Sequence, residues 1–187
     1  MKLAPDEFDI LFEYANYLHS TTNFEKADEY YQKALEAEPH NAEALGFSAL
    51  NKIHLKDLDK AYEQIEHALE HASNNGFMLF IAGKIRFLQH KFEDAKMFFV
   101  KSYELEKTHD CENMLGLCYF ELGNYEQANN IFKHLLEENP LNVNLLLSSA
   151  RCYEKLNDKD SALATLDKIV DAFPECEEAQ EMIREIS

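Results

Sequence analysis

The chain has 187 residues, enough for one ordinary domain or a short repeat array, and 46% of them are hydrophobic, enough for a packed core. Only 5 Gly and 4 Pro occur, too few for the many turns of an all-β fold, so the Ala-, Leu-, Glu- and Lys-rich composition points to helices. The 35 Asp+Glu against 18 Lys+Arg give a formal net charge of -17, which disfavours nucleic acid and membrane surfaces and favours a basic or apolar protein segment as partner.

From the N-terminus, Met1-Lys-Leu-Ala-Pro-Asp6 lacks the apolar core of a signal peptide. Pro5 stands 34 residues before Pro39, so residues 1–7 are expected to be the remnant of a preceding repeat in a longer parent. From there a pattern recurs: Ala27, Ala61, Ala95, Ala128 and Ala162 are separated by 34, 34, 33 and 34 residues. In repeat 8–41 the context is Asn23-Phe-Glu-Lys-Ala27, and in repeat 42–75 it is Asp57-Leu-Asp-Lys-Ala61. Repeat 76–108 carries Lys91-Phe-Glu-Asp-Ala95, repeat 109–142 Asn124-Tyr-Glu-Gln-Ala128, and repeat 143–176 Asp158-Lys-Asp-Ser-Ala162. Each but the third opens on a residue able to cap a helix, and acids follow in the first turn, where the helix dipole favours them. Tyr31, Ile65, Phe99, Phe132 and Leu166 lie four residues beyond the alanines, on the same helical face. Pro39, Pro140 and Pro174 close three of the repeats. A final acidic segment, 177–187, is expected to be a helix capping the last apolar face.

The fourth repeat spells Leu115-Gly116-x-x-Tyr119, then Ala128-x-x-x-Phe132, then Pro140, and in these residues the chain resembles the tetratricopeptide repeat family. The resemblance covers nearly the whole chain and implies a single array over 1–187. Its fold would be all-α: a right-handed α-solenoid (superhelix) of antiparallel helix hairpins, A and B, five in number with a capping helix. Ala15, Ala49, Gly83, Gly116 and Ala150 would be the small residues of the A helices, and the alanine column those of the B helices.

The family also implies a non-enzymatic protein–protein interaction module whose A helices line a concave, peptide-binding groove. Carried over residue by residue, the groove positions fall on Phe12 and Asn16 in the first repeat and Phe47 and Leu50 in the second. They fall on Phe77, Phe80, Ile81, Lys84 and Phe87 in the third, Met114, Leu117 and Phe120 in the fourth, and Leu147 and Arg151 in the fifth. The middle repeats are apolar where a water-facing helix is polar, and Gly76-Phe-Met-Leu-Phe-Ile-Ala-Gly83 is apolar on nearly all sides. The expected partner is an amphipathic protein or peptide segment with basic residues; the alternative is a homo-oligomer formed through the N-terminal repeat. The carboxylate clamp of the heat-shock co-chaperones is not matched, since Phe12, Asn16, Phe47, Phe77 and Ile81 stand at its positions. An asparagine ladder fails at Glu13, Phe47, Ile81, Met114 and Ser148.

Two features stand apart. Lys52 and Arg86 occupy an ordinarily apolar core slot, filled by Leu18, Tyr119 and Tyr153 in the other repeats, and are expected to snorkel outward or to meet an acid. His67-Ala-Leu-Glu-His71 matches H-x-x-E-H, the zinc-binding pattern of inverzincin peptidases. Ala68 aligns with Ala34 and Ser102 as a packing residue, which turns both histidines towards solvent on helix B. A catalytic zinc needs a third protein ligand and a dry pocket, so a zinc-dependent hydrolase is the remote alternative, and no catalytic residue, metal or cofactor is expected. Cys111, Cys118, Cys152 and Cys176 form no C-x-x-C pair and read as reduced, mostly buried thiols. Reduced thiols, the missing signal peptide and the lack of a spanning apolar run fit a soluble, cytoplasmic protein.

Overall fold

The alanine column sets how closely successive helices approach, and the structure, a computed structural model describing residues 5–186, buries it completely. Ala27, Ala61, Ala95, Ala128 and Ala162 are all 0% exposed, as are Tyr31, Ile65, Phe99, Phe132 and Leu166 one turn later. Eleven helices and no strand are found among the described residues, so the fold is all-α. In chain order they are α1 (Pro5–Ser20), α2 (Phe24–Ala37), α3 (Ala42–His54), α4 (Leu58–His71), α5 (Gly76–Leu88) and α6 (Phe92–Leu105). They continue with α7 (His109–Glu121), α8 (Tyr125–Glu138), α9 (Val143–Lys155), α10 (Lys159–Ala172) and α11 (Glu177–Ile186). The expected repeat remnant falls largely on residues 1–4, outside the described residues; Pro5 opens α1, where its missing N–H costs nothing.

The chain divides into two compact units, Met1–Glu106 and Lys107–Ser187. In the first, α1, α3 and α5 lie side by side and pair with α2, α4 and α6. Its core runs from Phe8, Phe12 and Tyr31 between α1 and α2 to Ile65, Met78, Ile81 and Ile85 between α4 and α5. In the second, α8 packs on α7 and α9, and α10 on α9 and α11. There α11 buries Ala179, Met182 and Ile186 against Leu166 and Ile169 of α10.

Each A-to-B turn has the same backbone. Thr22, Lys56, His90, Gly123 and Asn157 adopt positive φ of 59–78°. The next residue's N–H then bonds back five positions, as in Asn23 N–H to Leu18 O at 2.9 Å and Asp57 N–H to Lys52 O at 3.0 Å. These are Schellman turns, and only Gly123 enters the left-handed region without steric cost.

That geometry corrects the capping expectation. Asn23, Lys91 and Asn124 make no side-chain cap, whereas Asp57 accepts from Lys60 N–H and Asp158 from Ser161 N–H. The cap residue follows the Schellman turn directly and is held at ψ of 64–75°, and of the five only the two aspartates reach the helix N–H groups. The A helices carry regular caps instead. Asn41, Asn75, Thr108 and Asn142 accept from Ala44, Met78, Cys111 and Leu145 at 3.0–3.2 Å.

Close approach also explains the helical glycines. A Cβ at Gly83 would stand 2.7 Å from the ring of Phe99, which is wholly buried and cannot yield. A Cβ at Gly46 would meet Met78 Sδ at 2.2 Å, near the end of a flexible chain. Gly83→Ala is expected to destabilise the chain by about 1 kcal/mol net, overpacking exceeding the gain in helix propensity. Gly46→Ala is expected to be near neutral. Urea unfolding of both variants checks the ordering.

Candidate peptide-binding face

Missing Cβ atoms shape the face as well as the core. Gly46 lets α3 approach α5, and beside it Phe47 meets Phe77 with ring centroids 5.5 Å apart. Phe47 also meets Phe12 edge-on at 5.8 Å, and Phe12 stacks on Phe8 at 5.6 Å. An aromatic run thus crosses α1, α3 and α5 within the first unit. Exposure rises along it: Phe12 is 7% exposed, Phe47 is half-buried, and Phe77 is 36% exposed. Leu50, Phe80, Lys84 and Phe87 are half-buried on the same three repeats. Phe80 leans on Phe99 at 5.6 Å and Phe87 on Phe92 at 5.3 Å.

Three expected groove residues offer no usable surface. Ile81 is 0% exposed and packs with Ile65 and Ile85, so it is core. Phe12, at 7%, packs with Tyr31, and Leu147, at 6%, packs with Ala179 and Met182. Each is covered by a packed helix: Ile81 by α4, Phe12 by α2 and Leu147 by α11. Asn16 is also engaged, accepting from the buried Tyr31 hydroxyl at 2.8 Å.

A polar patch borders the aromatics. Asn51, fully buried, donates to Phe24 O at 2.9 Å and faces His19 Nδ1 at 2.9 Å. His54 stacks flat on Phe24, with centroids 4.4 Å apart, and meets His19 at 5.2 Å. Burial, then His19 and Lys84, hold its pKa below the ordinary histidine value.

The two misplaced cations are accounted for by equivalent positions on the preceding B helices. Lys52, 6% exposed, bonds Asp28 of α2 at 2.8 Å. Arg86 stacks over Tyr62 of α4 at 3.4 Å, donates to Gln89 at 3.0 Å and approaches Asp94 at 3.8 Å. Asp28 and Tyr62 are 34 residues apart, as are Lys52 and Arg86. Both cations therefore brace successive repeats.

In the second unit Met114, Leu117 and Phe120 are half-buried, and Phe120 packs edge-on against Tyr125 at 5.3 Å. Arg151 is exposed and ion-paired with Glu178. Phe120 and Arg151 border a shallow, acid-rich depression of about 430 Å³ that includes Glu154, Glu181 and Glu185. Cys111, Cys118 and Cys152 are buried thiols, and burial pushes Cys152 up to about 12, which makes it unreactive. Ala68 is 0% exposed, while His67 is half-buried and His71 exposed on α4, the disposition read from the repeat.

Helical hairpins in register with a partly open aromatic face define a repeat scaffold. Tetratricopeptide repeat family models match residues 8–41 and 119–186, together more than half of the chain, and the chain belongs to that family. A TPR repeat-containing protein of Methanocaldococcus jannaschii is 27% identical over 92% of this chain and 31% of its own length. BBSome complex member BBS4 of Bos taurus is 28% identical over 86% of this chain and 31% of its own. The chain thus spans about a third of the length of these curated relatives. Among solved structures, YrrB, described as a TPR protein with an unusual peptide-binding site, superposes with a TM-score of 0.80 at 22% identity. That match covers 93% of this chain and 90% of YrrB, and it shows the fold, an α-solenoid. Proteins of this family are protein–protein interaction scaffolds.

Lys52→Met should cost less than Lys52→Ala, because the stem packing survives although Asp28 loses its partner in both. Lys52→Ala should cost about 1–2 kcal/mol, limited because Asp28 is 26% exposed and stays partly hydrated. Thermal and urea denaturation of the two variants separate these outcomes.

Proposed function

We propose that the chain is a non-enzymatic binding module that captures an amphipathic, basic partner segment on the A-helix face of its first unit. The observation that carries this reading is the aromatic run that ends in Phe77, 36% exposed in a repeat otherwise apolar on that side. A large aromatic held open to water beside Phe47 and Phe80 is the kind of anchor on which interface energy concentrates. Phe47, Leu50, Phe77, Phe80 and Phe87 would bury the partner's apolar side. Glu13 and Glu43, exposed on α1 and α3, together with the net charge of -17, would attract its Lys and Arg residues. Asn16 and Lys84 would border this face, while Met114, Leu117, Phe120 and Arg151 of the second unit would offer contacts of their own. The peptide-binding site named for YrrB supports a peptide as the kind of partner. Ordering the partner offsets much of the burial, so affinity in the micromolar range is expected.

Self-association is the second reading, and a separate stripe favours it. Ile10, Tyr14 and Tyr17 are 67%, 45% and 61% exposed and recur at helical spacing along α1. A second copy would cover that face and leave Phe77 untouched.

A synthetic amphipathic helix bearing Leu on one face and Lys on the other is the probe for both readings. Phe77→Asp should weaken its binding by at least ~10-fold with unchanged circular dichroism, a loss of hot-spot size. Raising the salt concentration should weaken wild-type binding. Unchanged affinity in Phe77→Asp contradicts the groove reading. Sedimentation showing dimers that Tyr17→Glu dissolves would establish the second one.

A further inference from the structure

The H-x-x-E-H stretch lacks a third ligand in sequence, and the fold brings one to it. His67 and His71 lie one turn apart on α4, where residues four apart share a face. His40, 27 residues before His67, stands in the α2–α3 turn and reaches the same place. One ligating nitrogen from each of the three rings lies within 4.8 Å of the other two. His40 Nδ1 and His67 Nε2 are 3.0 Å apart, and His71 packs against both rings with centroids at 5.0 and 5.3 Å.

The turn that presents His40 is held independently of the histidines. Pro39 precedes it, and Asn41 follows as the cap of α3, accepting from Ala44 N–H at 3.0 Å. Asn41 also donates to Glu38 through its side chain at 2.8 Å and its backbone N–H at 3.2 Å. The three imidazoles therefore converge from two fixed elements rather than from one flexible tail.

The geometry points to a binding site for a divalent transition-metal ion at His40, His67 and His71, of the imidazole-preferring class that Zn²⁺ represents. A tetrahedral ion bound at about 2.0–2.1 Å sets its nitrogens about 3.3 Å apart, within the spread the cluster already has. Each neutral ring supplies one lone pair. The proton shared between His40 and His67 moves to the outer nitrogen of the donor ring, so no net charge leaves the protein. With His40 and His71 exposed, the fourth position stays open to water, which suits a clamp and not a dry catalytic pocket. The ion would tie the α2–α3 turn to α4 and so brace the first hairpin against the second.

The test uses the full chain without an affinity tag, stripped of metal and titrated with Zn²⁺ and Co²⁺. One equivalent should bind, with Co²⁺ absorption of a nitrogen-ligated low-coordinate site, and Zn²⁺ should raise the melting temperature. His40→Ala, His67→Gln and His71→Ala should each weaken binding at least ~10-fold, since even an outer-shell loss costs about that much. His90→Ala, an exposed histidine outside the cluster, should bind as the wild type does. Substoichiometric uptake, or unchanged affinity and melting shift in His40→Ala, overturns the site.

Discussion

The structure depends on the close approach of helices across residues that carry little or no side chain. Five alanines with no exposed surface let each B helix settle against its A helix, and Tyr31, Ile65, Phe99, Phe132 and Leu166 fill the space beside them. Gly83 and Gly116 extend the constraint by letting Phe99 and Phe132 reach the A-helix backbone itself. Helices held this closely cannot rotate independently, so the orientation of every other side chain follows. The aromatic face of the first unit is one consequence. Gly46 and Met78 fix how α3 meets α5, and Phe47 and Phe77, their chain neighbours, are thereby set against each other with rings tilted at 44°.

Most of the fold was legible because a period of 33 or 34 residues carried small and large apolar residues together, and packed helical hairpins bury both columns. The turns were not legible. Four of the five left-handed positions are Thr22, Lys56, His90 and Asn157, none of them glycine, and backbone hydrogen bonds rather than side-chain identity hold them there. The same turns misdirected the reading of the caps. Asn23 and Asn124 stand at the starts of α2 and α8 without a side-chain cap, whereas Asp57, Asp158 and the unremarked Asn41, Asn75, Thr108 and Asn142 do cap.

The sequence pattern located the partly open aromatics Phe77 and Phe80 but also named Ile81, Phe12 and Leu147, which are buried. Alignment gives the direction in which a helical residue points; it does not give how much of that direction a neighbouring helix occupies. Lys52 and Arg86 were visible as anomalies, but their partners Asp28 and Tyr62 emerge only when one repeat is laid on the next. His40 was hidden in the same way, since its approach to His67 and His71 depends on a turn 27 residues upstream. Each of these contacts crosses from one repeat to the next, where a pattern within a single repeat carries no signal.

An acidic scaffold with a partly open aromatic face meets a partner by two separable forces: long-range attraction that salt screens, and local burial that salt leaves intact. The most direct measurement is a methyl and aromatic NMR titration of the labelled chain with the amphipathic basic helix. The account predicts saturable shifts centred on Phe47, Leu50, Phe77 and Phe80, with the B-helix surface unmoved. Shifts confined to the outward faces of α2, α4 and α6, with Phe77 unchanged at saturation, would contradict it.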